Sequence, residues 1–318
     1  MPTTARALAI VAVFLTLFVG AIAPVTAQTD EQLDLCLGKD GATPDSQIHG
    51  CTAVIQSGKY SGANAAFVFS NRCRAYIDVK DSDKALADCN QAIQFDAKYA
   101  VAYNNRGIVW RTRGDYDRAI ADYSEAIRLD PTFVLAYNNR GVAYAGKKDY
   151  DRAIADYSEA IRLDPQLEGI RRINAYFNRG LAYQAKKDFE RAIPDFDRVT
   201  QLQPTNAKIW NARCWARVIV GQLDQGLADC HESLLLEPND VDALDSRGFA
   251  YLKSGDLESS IADFDAALKG NPRLASSLYG RGLAKITQGN TEAGNADIAA
   301  AKAIQADIAD QLAGYGFK

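Results

Sequence analysis

Residues 100–133 read AVAYNNRGIVWRTRGDYDRAIADYSEAIRLDPTF, and residues 134–167 read VLAYNNRGVAYAGKKDYDRAIADYSEAIRLDPQL. In the first stretch Tyr103, Gly107 and Trp110 fall three or four apart, and so do Ala119, Tyr123 and Ala126. Each half is therefore an amphipathic helix with one buried stripe. Arg113-Gly114-Asp115 closes the first helix and starts the second, and Asp130-Pro131 ends the second. The next stretch repeats the pattern with Tyr137, Gly141, Tyr144, Ala153, Tyr157, Ala160 and Pro165.

Outward from this pair the same signature recurs. Arg-Gly or Arg-Cys stands at Arg72, Arg106, Arg140, Arg179, Arg213, Arg247 and Arg281, 34 residues apart except for one step of 39. Each arginine precedes an aspartate by 16 residues, from Asp88 through Asp122, Asp156, Asp195, Asp229 and Asp263 to Asp297. Seven copies of a short unit describe an array, which buries its core by stacking neighbours. The extra residues of the long step fall within Gln166 to Arg172 and predict a bend there.

The 318 residues include 36 basic and 40 acidic side chains, a net charge of −4. Spread through every repeat, these charges read as a solvated surface, which argues against broad attraction to nucleic acid or anionic lipid. Residues 1–27 follow different rules. Arg6 precedes an almost wholly apolar run from Ala7 to Ala23, then Pro24 and Val25-Thr26-Ala27. This pattern predicts a secretory leader cleaved before Gln28, with no stable membrane span afterwards; the alternative is an uncleaved anchor. The expected destination is export, periplasmic or secreted. The cysteines are Cys36, Cys51, Cys73, Cys89, Cys214 and Cys230, an even number that suits disulfides in such a compartment. None forms a C-x-x-C pair, so no metal or cofactor site is expected. The two histidines, His49 and His231, lie near no plausible nucleophile, and no phosphate-cradling loop is present. The chain is expected not to be an enzyme.

The unit resembles the tetratricopeptide repeat (TPR) family. That pattern asks for a bulky residue at position 4, small residues at 8, 20 and 27, aromatics at 11 and 24, and proline at 32. The resemblance covers Ala66 to about Ala306. It implies an all-α fold, a right-handed α-solenoid of about seven helix-turn-helix units with caps at both ends. The units are expected at 66–99, 100–133, 134–167, 173–206, 207–240, 241–274 and 275–306. A disulfide-linked helical cap should occupy 28–65, and a second cap 307–318. Two departures stand out: position 7 is arginine in every copy, and the last unit has Lys285, Gly294 and Ile298 where the aromatic and alanine positions belong.

Facing positions of an antiparallel hairpin have a nearly constant index sum, which sets position 7 level with 23 and position 8 opposite 24. Charge-assisted contacts such as Arg106–Asp122 and Arg140–Asp156 should therefore clasp each hairpin. An anion-binding ladder of arginines is the alternative. Cysteine replaces glycine at position 8 and the aromatic at position 24 in the same two units. This predicts Cys73–Cys89 and Cys214–Cys230, leaving Cys36–Cys51 for the N-terminal cap. Buried free thiols are the alternative.

In the resembled fold the first helices of the units line a concave groove. Position 6 offers Asn71, Asn105, Asn139 and Asn178, and position 5 adds Asn104, Asn138 and Asn211. A carboxamide both donates and accepts, so one per repeat suits an extended peptide backbone. The row resembles the asparagine ladder of the O-linked N-acetylglucosamine transferases, although asparagine also suits any solvated helix face. Further along, the same face turns apolar at Leu181, Trp215, Phe249, Leu252 and Leu283. The expected function is a protein-protein interaction scaffold of the bacterial envelope, holding a peptide segment in this groove. The alternatives are a secreted structural or host-interacting factor that works through its convex or terminal surfaces, or self-association through the ends.

Overall fold

The computed structural model describes residues 25–39, 41–163 and 170–318. The apolar run of the expected leader and the start of the expected insertion lie outside the described residues.

Among the described residues the chain is a succession of antiparallel helix pairs without strands. The first pair is α1 (Val25–Cys36) and α2 (Pro44–Gln56). Then come α3 (Ala66–Asp78) with α4 (Ser82–Phe95), α5 (Ala100–Thr112) with α6 (Tyr116–Leu129), and α7 (Val134–Gly146) with α8 (Tyr150–Leu163). The second half holds α9 (Ile170–Ala185) with α10 (Phe189–Leu202), α11 (Ala207–Ile219) with α12 (Leu223–Leu236), and α13 (Val241–Ser254) with α14 (Leu257–Gly270). The last pair is α15 (Ala275–Thr287) with α16 (Thr291–Ile304), followed by the short α17 (Ile308–Ala313).

From α3 onward, the first helix of each pair touches the first helix of the next, as α3 does α5 and α11 does α13. Successive second helices make no contact of similar extent. The stack therefore curves with the first helices on its inner face.

The turn inside each hairpin is set by one backbone requirement. Gly114 adopts φ +78°, and the amides of Gly114 and Asp115 close α5 by donating to the carbonyls of Arg111 and Trp110. This is a Schellman closure, which needs a left-handed residue. Lys80, Lys148 and Lys187 hold the same position at φ +62° to +63°, a conformation a side chain disfavours. The next residue caps the second helix: the Asp115 carboxylate accepts from the Arg118 amide at 3.1 Å, and Asp81, Asp188 and Asp256 do likewise.

Inside the hairpin, positions 8 and 24 meet. A Cβ added at Gly107 would lie 2.6 Å from the Tyr123 ring, and Gly141, Gly180 and Gly248 are equally close to Tyr157, Phe196 and Phe264. Only glycine admits the ring there. In two hairpins the same space holds disulfide pairs, Cys73–Cys89 and Cys214–Cys230, with Cα atoms 5.4 and 5.3 Å apart. Cys36 pairs with Cys51 at 4.5 Å between α1 and α2, and no described cysteine is free. No helix of the described residues is long and apolar enough to cross a membrane.

Candidate functional site

The arginine at position 7 grips the aspartate at position 23 in every hairpin. Arg106 Nε and Nη2 donate to the two Asp122 oxygens at 2.8 and 2.7 Å, and Arg140 holds Asp156 at 2.8 Å through both nitrogens. The carboxylates are buried and the guanidinium groups partly so, which leaves this fork unavailable to a ligand. Burial, opposed by the Arg213 and Arg217 guanidiniums, raises the Asp229 carboxyl above its ordinary value.

Six of the seven forks have a third tine that spacing within one unit does not reveal; that of Arg72 is Thr52 Oγ1 in α2, at 3.0 Å. Arg106 Nη1 reaches back to Asn90 Oδ1 at 2.9 Å, Arg140 to Ser124 Oγ at 3.0 Å, and Arg179 to Ser158 Oγ at 3.0 Å. Arg213 and Arg281 reach Asp197 and Asp265 at 2.8 and 2.6 Å. These last five acceptors occupy position 25 of the preceding unit. The clasp therefore joins hairpins as well as closing them. Position 25 before Arg247 is His231, which bonds Tyr251 instead, and Arg247 holds Asp263 alone.

The asparagine row lies on the inner face, but three of its seven members are already engaged. Asn104 and Asn105 are buried at 3% and 6% exposure, too little to present an amide to a ligand. Asn105 Nδ2 donates to Ser70 Oγ at 3.1 Å and to the Ser70 carbonyl at 3.2 Å. Asn139 Nδ2 donates to Asn104 Oδ1 at 2.9 Å. These amides bond repeat to repeat. Asn71, Asn138, Asn139, Asn178 and Asn211 are all partly exposed. Within that set Asn138 Oδ1 and Asn211 Oδ1 are buried acceptors without a donor, and so is Gln184 Oε1 nearby.

Among the cavities on this face, two are lined by asparagines of the row. One, of about 340 Å³, is lined by Arg111, Tyr116, Tyr150, Tyr157, Asn178 and Leu181. Arg111 has no carboxylate partner among the described residues, and its Nε is buried without an acceptor. Behind it lies the fully buried Tyr123 hydroxyl, whose phenol burial pushes up to about 12 against the pull of the neighbouring Arg111 guanidinium. The protonated phenol and the guanidinium together make this end rich in donors. Position 12 gave no repeat signal, so sequence reasoning passed over Arg111.

The second cavity, about 530 Å³, includes Asn211, Gln184, Trp215, Asp245, Phe249 and Tyr315 among its lining. Asp245 accepts a short hydrogen bond from Ser277, and burial pushes its carboxyl up to about 6. Trp215 and Phe249 do not face open solvent. Phe249 is fully buried, and the chain's own C-terminal residues cover both rings. Phe317 lies 4.5 Å from Phe249 and 6.1 Å from Trp215, centroid to centroid, and Tyr315 lies 5.6 Å from Trp215. Leu252 and Leu283 pack into the same cluster, while Leu181 remains exposed. A cap helix that merely solvates the last hairpin does not account for this segment, which reaches back along the inner face as far as Phe189 in α10.

Stacked hairpins with a concave inner face, carrying unpartnered acceptors at one level and rings at another, define an α-solenoid. Family models described as TPR repeat or tetratricopeptide repeat match residues 111–148, 134–167, 173–206 and 247–310, and these segments are tetratricopeptide repeats. Among solved structures, YrrB, "a TPR protein with an unusual peptide-binding site", is 21% identical with a TM-score of 0.55, covering 61% of this chain and 97% of YrrB. A tetratricopeptide repeat protein from Parabacteroides merdae is 18% identical with a TM-score of 0.57, covering 79% of this chain and 98% of its own. PilF from Pseudomonas aeruginosa is 15% identical with a TM-score of 0.59, covering 67% and 94%. At these identities the likeness is one of fold. No curated protein matches the chain.

Proposed function

We propose that this chain is an exported, non-catalytic interaction scaffold of the bacterial envelope that holds a polypeptide segment along its concave face. The observation that carries the reading is the set of buried acceptors left without donors there, Asn138 Oδ1, Gln184 Oε1 and Asn211 Oδ1. Buried polar groups are almost always bonded, so an unmet acceptor on an open groove invites a peptide N–H. Arg111, facing the 340 Å³ cavity without a carboxylate, offers the complementary donor for a ligand carboxylate or carbonyl. YrrB is described as having a peptide-binding site, which supports the reading by analogy of fold alone.

Export is supported by the leader-like pattern of residues 1–27 and by three cysteine pairs at disulfide distance. A polypeptide, and not a nucleic acid, suits the net charge of −4. The test is affinity capture with crosslinking from the native envelope fraction, using the wild-type chain and the N138A/N211A variant at matched thermal stability. A partner lost with the two carboxamides supports the groove. Capture that ignores both substitutions overturns it and moves the working surface to the convex face or the ends.

A further inference from the structure

The chain's last residues are built as a hook. Tyr315, Gly316 and Phe317 donate their amides to the carbonyls of Leu312, Ala313 and Leu312, with Gly316 at φ +87°. This is again a Schellman closure, here ending α17, and it turns Phe317 into the groove. The hook enters a pocket of rings. Tyr315 meets Phe189 and Trp215 edge-on at 5.8 and 5.6 Å, and Phe317 stacks over Trp215 and leans on Phe249. Two cations frame them: Lys187 Nζ is 5.1 Å from the Tyr315 ring and Lys253 Nζ 4.8 Å from the Phe317 ring. Lys253 is itself fixed by the Val218 carbonyl at 3.1 Å. A cation over a ring face favours aromatic over aliphatic occupants.

We propose that the Phe189–Trp215–Phe249 surface is a docking site whose resident occupant is this hook. A partner polypeptide enters by presenting the same chemistry, two aromatic side chains separated by one small residue. The inference rests on the groove reading above. Two features make the hook exchangeable. Its helix has six residues, too few to persist undocked; and the 530 Å³ cavity beside Tyr315 gives an incoming segment a foothold before the hook leaves. The occupant is a different chain, because only residues 305–307 join α16 to α17, and the Gln305 amide donates to Gln311 at 2.7 Å across that joint. Such a tether does not reach a second molecule's groove.

A hook of about 10 µM intrinsic affinity, tethered at an effective concentration on the order of 1 mM, weakens any ligand of the same site by about 100-fold. The test measures a fluorescent peptide of residues 307–318 by polarisation against the full-length wild type and full-length Y315A/F317A. Binding to the variant should be at least about tenfold tighter. Adding W215A should remove that gain, and a peptide with leucine for Phe317 should bind more weakly. Equal affinity for both proteins overturns the exchange, and so does binding indifferent to Trp215. Loss of folding in Y315A/F317A also overturns it, since the hook would then be an obligate part of the core. A wild-type dimer that disappears in Y315A/F317A names a second copy as the occupant and overturns the choice of a different chain. A capture signal that depends on Asn138 and Asn211, alongside a peptide that ignores Trp215, sinks the exchange but leaves the groove reading. Failure of both removes the two together.

Discussion

The two halves of the concave face handle the same inner positions in opposite ways. From α3 to α9 the row is polar: carboxamides donate across to the preceding repeat, and the 340 Å³ cavity is left with an arginine that no carboxylate pairs among the described residues. From α11 to α15 position 5 carries Asp245 and Tyr279 after Asn211, and the groove fills with rings that the C-terminal residues cover. Identical backbones thus present one half that is open and donor-rich and another that is occupied and apolar. The repeat fixes where a side chain points; the individual residue decides what it meets.

The largest effect tests whether the clasps differ along the stack. Asp229 is 2% exposed and serves both Arg213 and Arg217, whereas Asp122 serves only the more exposed Arg106. D229A should cost about 3–5 kcal/mol by urea unfolding, and D122A clearly less, because removing one partner strands a buried charge. Equal losses would erase the distinction between the halves.

Next comes pH. Because the folded Asp245 carboxyl sits near 6, above its unfolded value, the folded state holds that proton more tightly. Its ionised form therefore opposes folding at pH 7, and the penalty fades as pH falls through about 6 toward the unfolded value. D245N should stabilise by about 1–2 kcal/mol at pH 7, less than the full shift implies because the cavity admits water, and by only about a few tenths of a kcal/mol at pH 4. A gain that is the same at both pH values would break this account.

Within the polar half, N105A should cost about 1 kcal/mol, since it unbonds Ser70, while N138A should leave the melting curve unchanged. If N138A also destabilises, its carboxamide is structural and the open half is less open than described. The smallest effect is a gain. K148G relieves a left-handed lysine and should add up to about 1 kcal/mol, read as a small rise in Tm.

The solenoid was legible because its core repeats. Gly107 against Tyr123 recurs as Gly141 against Tyr157, and a 34-residue period leaves little freedom to the fold. The Arg106 and Asp122 spacing places both on one hairpin, and the cysteines substitute at the same facing positions. Contacts between units were less legible. Nothing in the spacing of Asn105 tells a carboxamide aimed at a ligand from one aimed at Ser70, because both lie on the same helix face. Position 25 was invisible for a related reason: Asn90, Ser124 and Asp197 share only the ability to accept. The hook was hidden most of all. Tyr315 and Phe317 belong to no repeat, and their docking depends on curvature that brings α10, α11 and α13 within reach of one short segment.

The backward reach of the arginines gives the molecule a grain. Every third tine grasps a residue made earlier in the chain, so a hairpin emerging from a narrow exit finds its anchorage already assembled and contributes the next. Growth in that direction needs no waiting for what has yet to appear. Arg247, which finds His231 turned to Tyr251, is the one stitch dropped in this seam, and a molecule laced from one end should come undone there first.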